Sequence, residues 1–243
     1  MKWTTQIADA KNEDTNIRGH SLAKLVGTAT YADMVFLLLQ GKLPSVKERK
    51  LLDAMFVSAI EHGVGAPSAT TARIVSSAGG GVSAAVAAGV LAIGDNHGGA
   101  GEQAAKLFTE RMDDDPAEIV REYRAAKKKL PGFGHRVYTR DPRVEPLYAL
   151  AQELGLAGKH VACSKAIEHA LVAETGKPLH LNIDGALAAL ACDLGFSPDT
   201  SRALFIISRT PSLCAHAIEE QAIGGPYKRE DEQDITYTGP KDK

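Results

Sequence analysis

Apolar residues along this chain recur at the three- and four-residue spacing of helices. After Ser45, the residues Leu51, Leu52, Met55, Phe56, Ala59 and Ile60 mark one face of a helix. Ser45-Val-Lys-Glu48 reads as the capping box that opens it. Asp115-Pro116 and Asp141-Pro142 each read as an N-cap with proline in the first turn. Ser197-Pro198 repeats the device ahead of an amphipathic run from Arg202 to Ser208. The stretch from Val82 to Ile93 is rich in Ala and Gly, which predicts a helix that packs very close to its neighbours or to a second subunit. Period-two runs of β-branched and aromatic residues are scarce, and aromatics make up only 5% of the chain, so the pattern predicts an all-α fold. No internal repeat, low-complexity tract or long linker interrupts it. The polar stretch from Lys228 to Lys243 reads as a tail that frays or wraps a partner.

Composition narrows the function classes. A chain of 243 residues is ample for a sizeable core, as one large domain or as a large and a small one. A formal net charge of −2 implies no general nucleic-acid surface. The first residues lack the apolar stretch of a signal peptide, and the weakly polar run from Val82 to Gly94 is too short to span a bilayer. Cys163, Cys192 and Cys214 are odd in number and without metal spacing, so they read as core residues in a reducing compartment, by default the cytoplasm. The eight histidines show no H-x-x-x-H or paired-carboxylate pattern, so no metal is expected.

Candidate chemistry concentrates in one segment. Pro131-Gly-Phe-Gly-His-Arg-Val-Tyr-Thr-Arg-Asp-Pro-Arg143 places His135, Arg136, Arg140 and Arg143 within nine residues, just behind two glycines. Glycine permits tight turns and close approach of a ligand, and arginine forks grip carboxylates and phosphates. Such a loop suits an anionic ligand with a carbonyl that His135 polarises. Asn96-His97-Gly98-Gly99-Ala100 follows the Ala/Gly run, Asn182-Ile183-Asp184-Gly185 comes later among apolar residues, and Ser208-Arg209 lies in the final amphipathic stretch.

In this order, these segments make the chain resemble the citrate synthase superfamily. Ile17-Arg18-Gly19-His20 leading to Leu37-Leu38-Leu39-Gln40-Gly41-Lys42-Leu43-Pro44 adds an early match, so the resemblance runs from about Ile17 to Gly239. Within the superfamily the chain is most similar to citryl-CoA lyase and the citrate-synthase-like module of ATP-citrate lyase. The glycine after Asp184, the run Gly94-Asp95-Asn96-His97-Gly98-Gly99-Ala100, the tail Asp234-Ile235-Thr236-Tyr237 and the compact length carry that likeness. The resemblance implies an all-α fold with a large helical domain (residues 1–119 and 206–243) and a small one (120–205). It also implies at least a homodimer, with the active site in the interdomain cleft.

It further implies a reaction that makes or breaks a carbon–carbon bond between acetyl-CoA and oxaloacetate. The hard step is enolising a thioester, which needs a base and an oxyanion donor acting together. Asp184 is then the acid/base; it also reads as an ordinary N-cap of a helix from Ala186 to Leu194. His97 donates to the thioester oxygen as a neutral imidazole. His135 hydrogen-bonds the ketone of oxaloacetate or the tertiary hydroxyl of citryl-CoA. Arg143 and Arg209 are carboxylate clamps, and Arg229 reaches a carboxylate across the dimer. His62 aligns with a substrate-binding histidine and reads equally as a helix-ending residue. Arg136 and Arg140 are candidates for CoA phosphates, helped by the basic run Arg121, Arg124, Lys127, Lys128, Lys129, which otherwise reads as a solvated helix face. No permanently bound cofactor is expected; the CoA thioester is a substrate. Cleavage is favoured over synthesis because Gly185 leaves a position without a side chain beside the base, where nothing orders a hydrolytic water.

Other readings are a citrate or 2-methylcitrate-type synthase, and a non-catalytic CoA- or citrate-binding protein. Gly79-Gly80-Gly81-Val82-Ser83-Ala84 also fits a dinucleotide fingerprint, although that motif needs a preceding strand.

Overall fold

The computed structural model of the chain describes residues 2–10 and 14–240. Within them the elements follow the order β1 (Ala8–Asp9), β2 (Asn16–Ile17), β3 (His20–Ser21), α1 (Leu22–Leu25), α2 (Tyr31–Gln40), α3 (Val46–Ala59), α4 (Pro67–Ser77), α5 (Val82–Leu91), α6 (Ala100–Glu110), α7 (Pro116–Ala125), α8 (Val144–Leu154), α9 (Lys159–Thr175), α10 (Ile183–Asp193) and α11 (Ser201–Ile223). Helices dominate, as the apolar spacing predicts. The three two-residue strands form a small antiparallel ribbon in the order β1-β2-β3. In it Ile17 pairs with His20 across Arg18 and Gly19, whose positive φ values of 50° and 88° give the mirror-image turn that suits a two-residue hairpin. Arg18 Nη2 then donates to Leu38 O at 3.0 Å, tying the ribbon to α2. No helix among the described residues is long and apolar enough to cross a membrane.

The chain divides into two compact units. The first comprises Met1–Ala59 and Gly98–Ser208, the second Ile60–His97 and Arg209–Lys243. Residues 1, 11–13 and 241–243 lie outside the described residues, and with them the ends of the expected large domain and of the polar tail. The segment expected as a small domain, 120–205, falls wholly within the first unit.

In the first unit α10 is the central helix. Gly185, Ala186, Ala188, Ala189 and Leu190 are buried along it, and it packs against α6, α9 and α8. Its small side chains let those backbones approach. Phe36, Leu51, Leu52, Phe108 and Ile167 complete the core with no exposed surface, and Phe36 meets Phe196 edge to face at 5.2 Å. The capping box at α3 is formed reciprocally: Ser45 N donates to Glu48 and Glu48 N donates to Ser45 Oγ. Asp115 caps α7 by accepting from Ala117 N. Asp141-Pro142 departs from the expected cap. The helix α8 starts only at Val144, and Asp141 turns inward instead.

In the second unit α4 and α5 pack on each other. The Ala/Gly reading of this stretch holds at Gly89, where a Cβ would stand 3.0 Å from both Ser68 O and a Leu213 methyl. Gly79-Gly80-Gly81 joins these two helices, so no strand precedes it and the dinucleotide context is missing. Arg73 binds Glu220 at 2.8 Å and also Glu219. Glu220 takes Lys228 at 3.5 Å, and Lys228 N donates to Ser77 Oγ, which fastens the start of the tail. Beyond it, residues 229–240 are exposed.

Candidate active site

The start of α10 is built by a second segment laid beside it. Phe133 and Leu181 form an antiparallel bridge. Asn182 N donates to Gly132 O at 2.9 Å, Gly134 N donates to His180 O at 2.7 Å, and Asn182 Nδ2 donates to Gly134 O at 2.7 Å. The loop that ends in His135 and the segment that ends in Asp184 are therefore side by side. Two glycines make this possible. Gly132 takes φ +85°, and a Cβ on it would lie 2.8 Å from Gly185 Cα; a Cβ on Gly185 would lie 2.5 Å from Gly132 O. Real Cβ atoms do not reach such distances.

This contact corrects one expectation. The position beside Asp184 at Gly185 is not open; the Gly132 backbone fills it. Gly185 serves packing and gives no information about water. The capping alternative for Asp184 also fails, because the cap is Asn182, whose Oδ1 accepts from Gly185 N at 3.1 Å. Asp184 is instead a first-turn residue lining a narrow cleft. Leu187, Ala188 and Ala191 continue its face of α10, opposite Met55 and Phe56 of α3 and Leu204 of α11. The walls beside the Asp184 carboxylate are mostly apolar, with Ser201 and Ser208 as the other polar side chains.

His135 has a defined proton. Its Nδ1 accepts from Val137 N at 3.0 Å and from Tyr138 N at 3.1 Å, so the neutral ring carries its hydrogen on Nε2. The ring stacks on Tyr138 with centroids 4.7 Å apart. It presents a hydrogen-bond donor of fixed direction.

Arg143 is less simple than a lone clamp. Its Nε and Nη2 each donate to Asp141 at 2.8 Å, and Nη1 donates to Ser58 O at 3.4 Å. Asp141 is a buried carboxylate that also accepts from Ile183 N at 3.0 Å. Its burial favours the neutral acid, but the bonds from Arg143 and Ile183 outweigh that and hold its pKa below the ordinary value. Of the five N–H groups of Arg143, these bonds engage three.

In the second unit, Gly94 and His97 exchange backbone hydrogen bonds at 2.9 and 3.0 Å, closing a tight turn that presents His97. Its Nε2 lies 2.9 Å from Ser68 Oγ on α4. A Ser68 hydroxyl donating there puts the ring proton on Nδ1. Burial, and then the charge of Arg209, lower the His97 pKa, which keeps the ring neutral at pH 7. Arg209 itself is buried. His62 is exposed in the irregular segment that follows α3. Arg229 is exposed and pairs with Glu232 at 3.8 Å.

The basic run splits. Arg121 pairs with Asp115 and bonds Ala117 O on the solvated face of α7. Lys128 and Lys129, with Arg124, line a groove of about 1000 Å³ that also holds His135 and Arg136. Arg140 is exposed and is not part of that lining. Asp141, Ser68 and Asn182 escape the sequence reading as site residues. The Asn-Ile-Asp spacing was a signal for Asn182, whereas nothing local marks Ser68. Among the described residues no His, Cys, Asp and Glu cluster fit for a metal occurs.

A family model for the citrate synthase C-terminal domain matches residues 45–228, and the chain belongs to the citrate synthase family. It is 30% identical over 228 residues to the citrate/2-methylcitrate synthase of Bacillus subtilis, covering 88% of this chain and 58% of that protein. It is 34% identical over 190 residues to putative citrate synthase 2 of Mycobacterium tuberculosis, covering 74% and 50%. The chain thus spans about half the length of these curated relatives. Among solved structures, a citryl-CoA lyase from Hydrogenobacter thermophilus superposes with a TM-score of 0.95 at 41% identity, covering 99% of this chain and 96% of that one. ATP citrate lyase from Methanothrix soehngenii, solved with citrate and coenzyme A, gives 0.92 at 24% identity and covers 99% and 42%; that match speaks for the fold.

Proposed function

We propose that this protein is a citryl-CoA lyase, splitting citryl-CoA into acetyl-CoA and oxaloacetate. The observation that carries the reading is the end-to-end match to a citryl-CoA lyase, 99% of one chain against 96% of the other. The hydroxyl of citryl-CoA gives its proton to a solvent water as the bond between the carbinol carbon and the CH₂ breaks. The bond pair passes to the thioester as an enolate, and the carbinol oxygen becomes the ketone. Asp184 in its acid form then protonates the CH₂ to the methyl of acetyl-CoA, and the carboxylate left behind takes back from solvent the proton released by the hydroxyl. His135 donates through Nε2 to the oxygen that becomes the ketone, and His97 to the enolate oxygen. Preorganised donors of this kind contribute about 10²–10³ each in rate. Arg143 and Arg209 hold substrate carboxylates, with His62 and Arg229 as further contacts. Arg136 and Arg140, with Lys128 and Lys129, receive the CoA phosphates. Coenzyme A enters as part of the substrate, and no permanently bound cofactor is invoked.

Citrate synthesis is the second reading, favoured by the names of the curated relatives. The apolar walls beside Asp184 support cleavage without hydrolysis. The deciding assay supplies citryl-CoA and follows acetyl-CoA and oxaloacetate against free citrate and CoA. Predominant release of citrate replaces the lyase reading with the synthase one.

We also infer a homodimer. Support comes from the exposed apolar residues of the second unit, Ile74 on α4, Leu91 on α5, and Ile218 and Ile223 on α11, which a second copy would cover.

A further inference from the structure

We propose that Asp141 is a positioning residue for the reaction, one carboxylate that sets both the substrate-binding guanidinium of Arg143 and the helix start that carries Asp184. The inference rests on the citryl-CoA cleavage reading. The Asp141 side chain is fully enclosed, and all four of its acceptor sites are used. Oδ1 accepts from Arg143 N at 3.2 Å and Nε at 2.8 Å; Oδ2 accepts from Arg143 Nη2 at 2.8 Å and Ile183 N at 3.0 Å. A carboxylate so bound cannot rotate without breaking a bond to one of the two partners. Ile183 N is among the first-turn donors of α10 that no helical carbonyl can satisfy, so Asp141 acts as a second cap beside Asn182. Asp184 is the next residue. On the other side, Asp141 takes the Nε edge of Arg143 and turns the remaining N–H groups away from itself, while Nη1 reaches Ser58 O on α3, the helix whose Met55 and Phe56 wall the cleft. One buried charge thereby joins the His135 loop, α3 and α10.

An amide cannot replace it. Asn at 141 offers one acceptor oxygen and an NH₂ that faces donors, so either Ile183 or Arg143 loses its partner. Asp141→Asn is expected to lower kcat roughly 10²-fold, the scale of an approximately 1 Å misplacement of a reacting group, and to raise KM for citryl-CoA. A purely structural residue would lower the melting temperature and leave the kinetics of the folded fraction unchanged. The discriminating measurement is a double-mutant cycle on folded protein, with Asp141→Asn and Asp184→Asn alone and together. If Asp141 acts through Asp184, its effect on kcat nearly vanishes in the Asp184→Asn background while its effect on KM persists. Equal fold-losses of kcat in both backgrounds, or unchanged kcat and KM in the single variant, overturn the proposal. Asp141→Glu, which keeps the charge and shifts the oxygens, runs in parallel. Failure of both variants to fold makes Asp141 a stability element and also overturns it. If the wild-type protein does not cleave citryl-CoA, the lyase reading fails, and the same cycle and criteria are applied to citrate formation from acetyl-CoA and oxaloacetate.

Discussion

Asp184 and His97 carry the most direct tests. Asp184→Asn keeps the shape of the side chain and removes its proton transfer. With Asn182 as the cap, α10 does not depend on Asp184 for its start, so the variant should fold normally and lose most of kcat with little change in oxaloacetate affinity. Near-normal turnover in that variant refutes the acid/base role. His97 is depressed below its ordinary pKa of 6.5, first by burial and then by Arg209. The unfolded chain therefore takes up a proton at this histidine before the folded one does. The stability that neutral His97 contributes is present above pH 6.5 and is lost as pH falls through the lowered value. The melting temperature of the wild type should fall more steeply from pH 7 to pH 5 than that of His97→Gln; parallel curves would show that His97 is not depressed.

At the scale of elements, the junction at the start of α10 governs both stability and activity. Arg143→Leu leaves the enclosed Asp141 carboxylate without its cation. Removing one partner of a buried pair costs about 3–5 kcal/mol, and partial exposure of Arg143 places the expected loss at the lower end. Chemical denaturation measures it, and a loss under about 1 kcal/mol would mean that Asp141 finds other donors. Weaker binding of the carboxylate substrate should accompany the loss. The helices themselves were legible in the sequence wherever the signal was local: the Ser45 box, the stripe from Leu51 to Ala59 after it and the Asp115 cap appear in place, while Ile60, read as part of that stripe, lies beyond the helix end and is exposed. Asp141-Pro142 was misread because a cap and an inward-turned carboxylate share the same local sequence, and only the distant Ile183 and Arg143 decide between them. Likewise Gly185 announces permissiveness in the sequence, while its reason, the Gly132 carbonyl some fifty residues earlier, is visible only in three dimensions. The histidine and aspartate motifs were readable because His97, His135 and Asp184 each stand beside glycines; Arg209 and Ser68, both inside ordinary helices, have no such mark.

For the whole molecule, the exposed apolar residues of α4, α5 and α11 predict self-association. Sedimentation velocity should give twice the chain mass of 25.7 kDa or a multiple of it, and Leu91→Glu combined with Ile218→Glu should shift the protein toward monomer. A wild type that sediments as a stable, active monomer removes the dimer from the proposal.

The contact of Gly132 with Gly185 also limits which sequences can be reached from this one. What each would strike is backbone: a carbonyl oxygen on one side and a Cα on the other. A compensating change elsewhere can trim a side chain, but it cannot trim a main chain. Substitution at either glycine therefore has no second-site repair short of moving the loop that carries His135 away from the helix that carries Asp184. The two positions form a mutational dead end, and random mutagenesis selected for activity should recover neither of them altered, singly or as a pair.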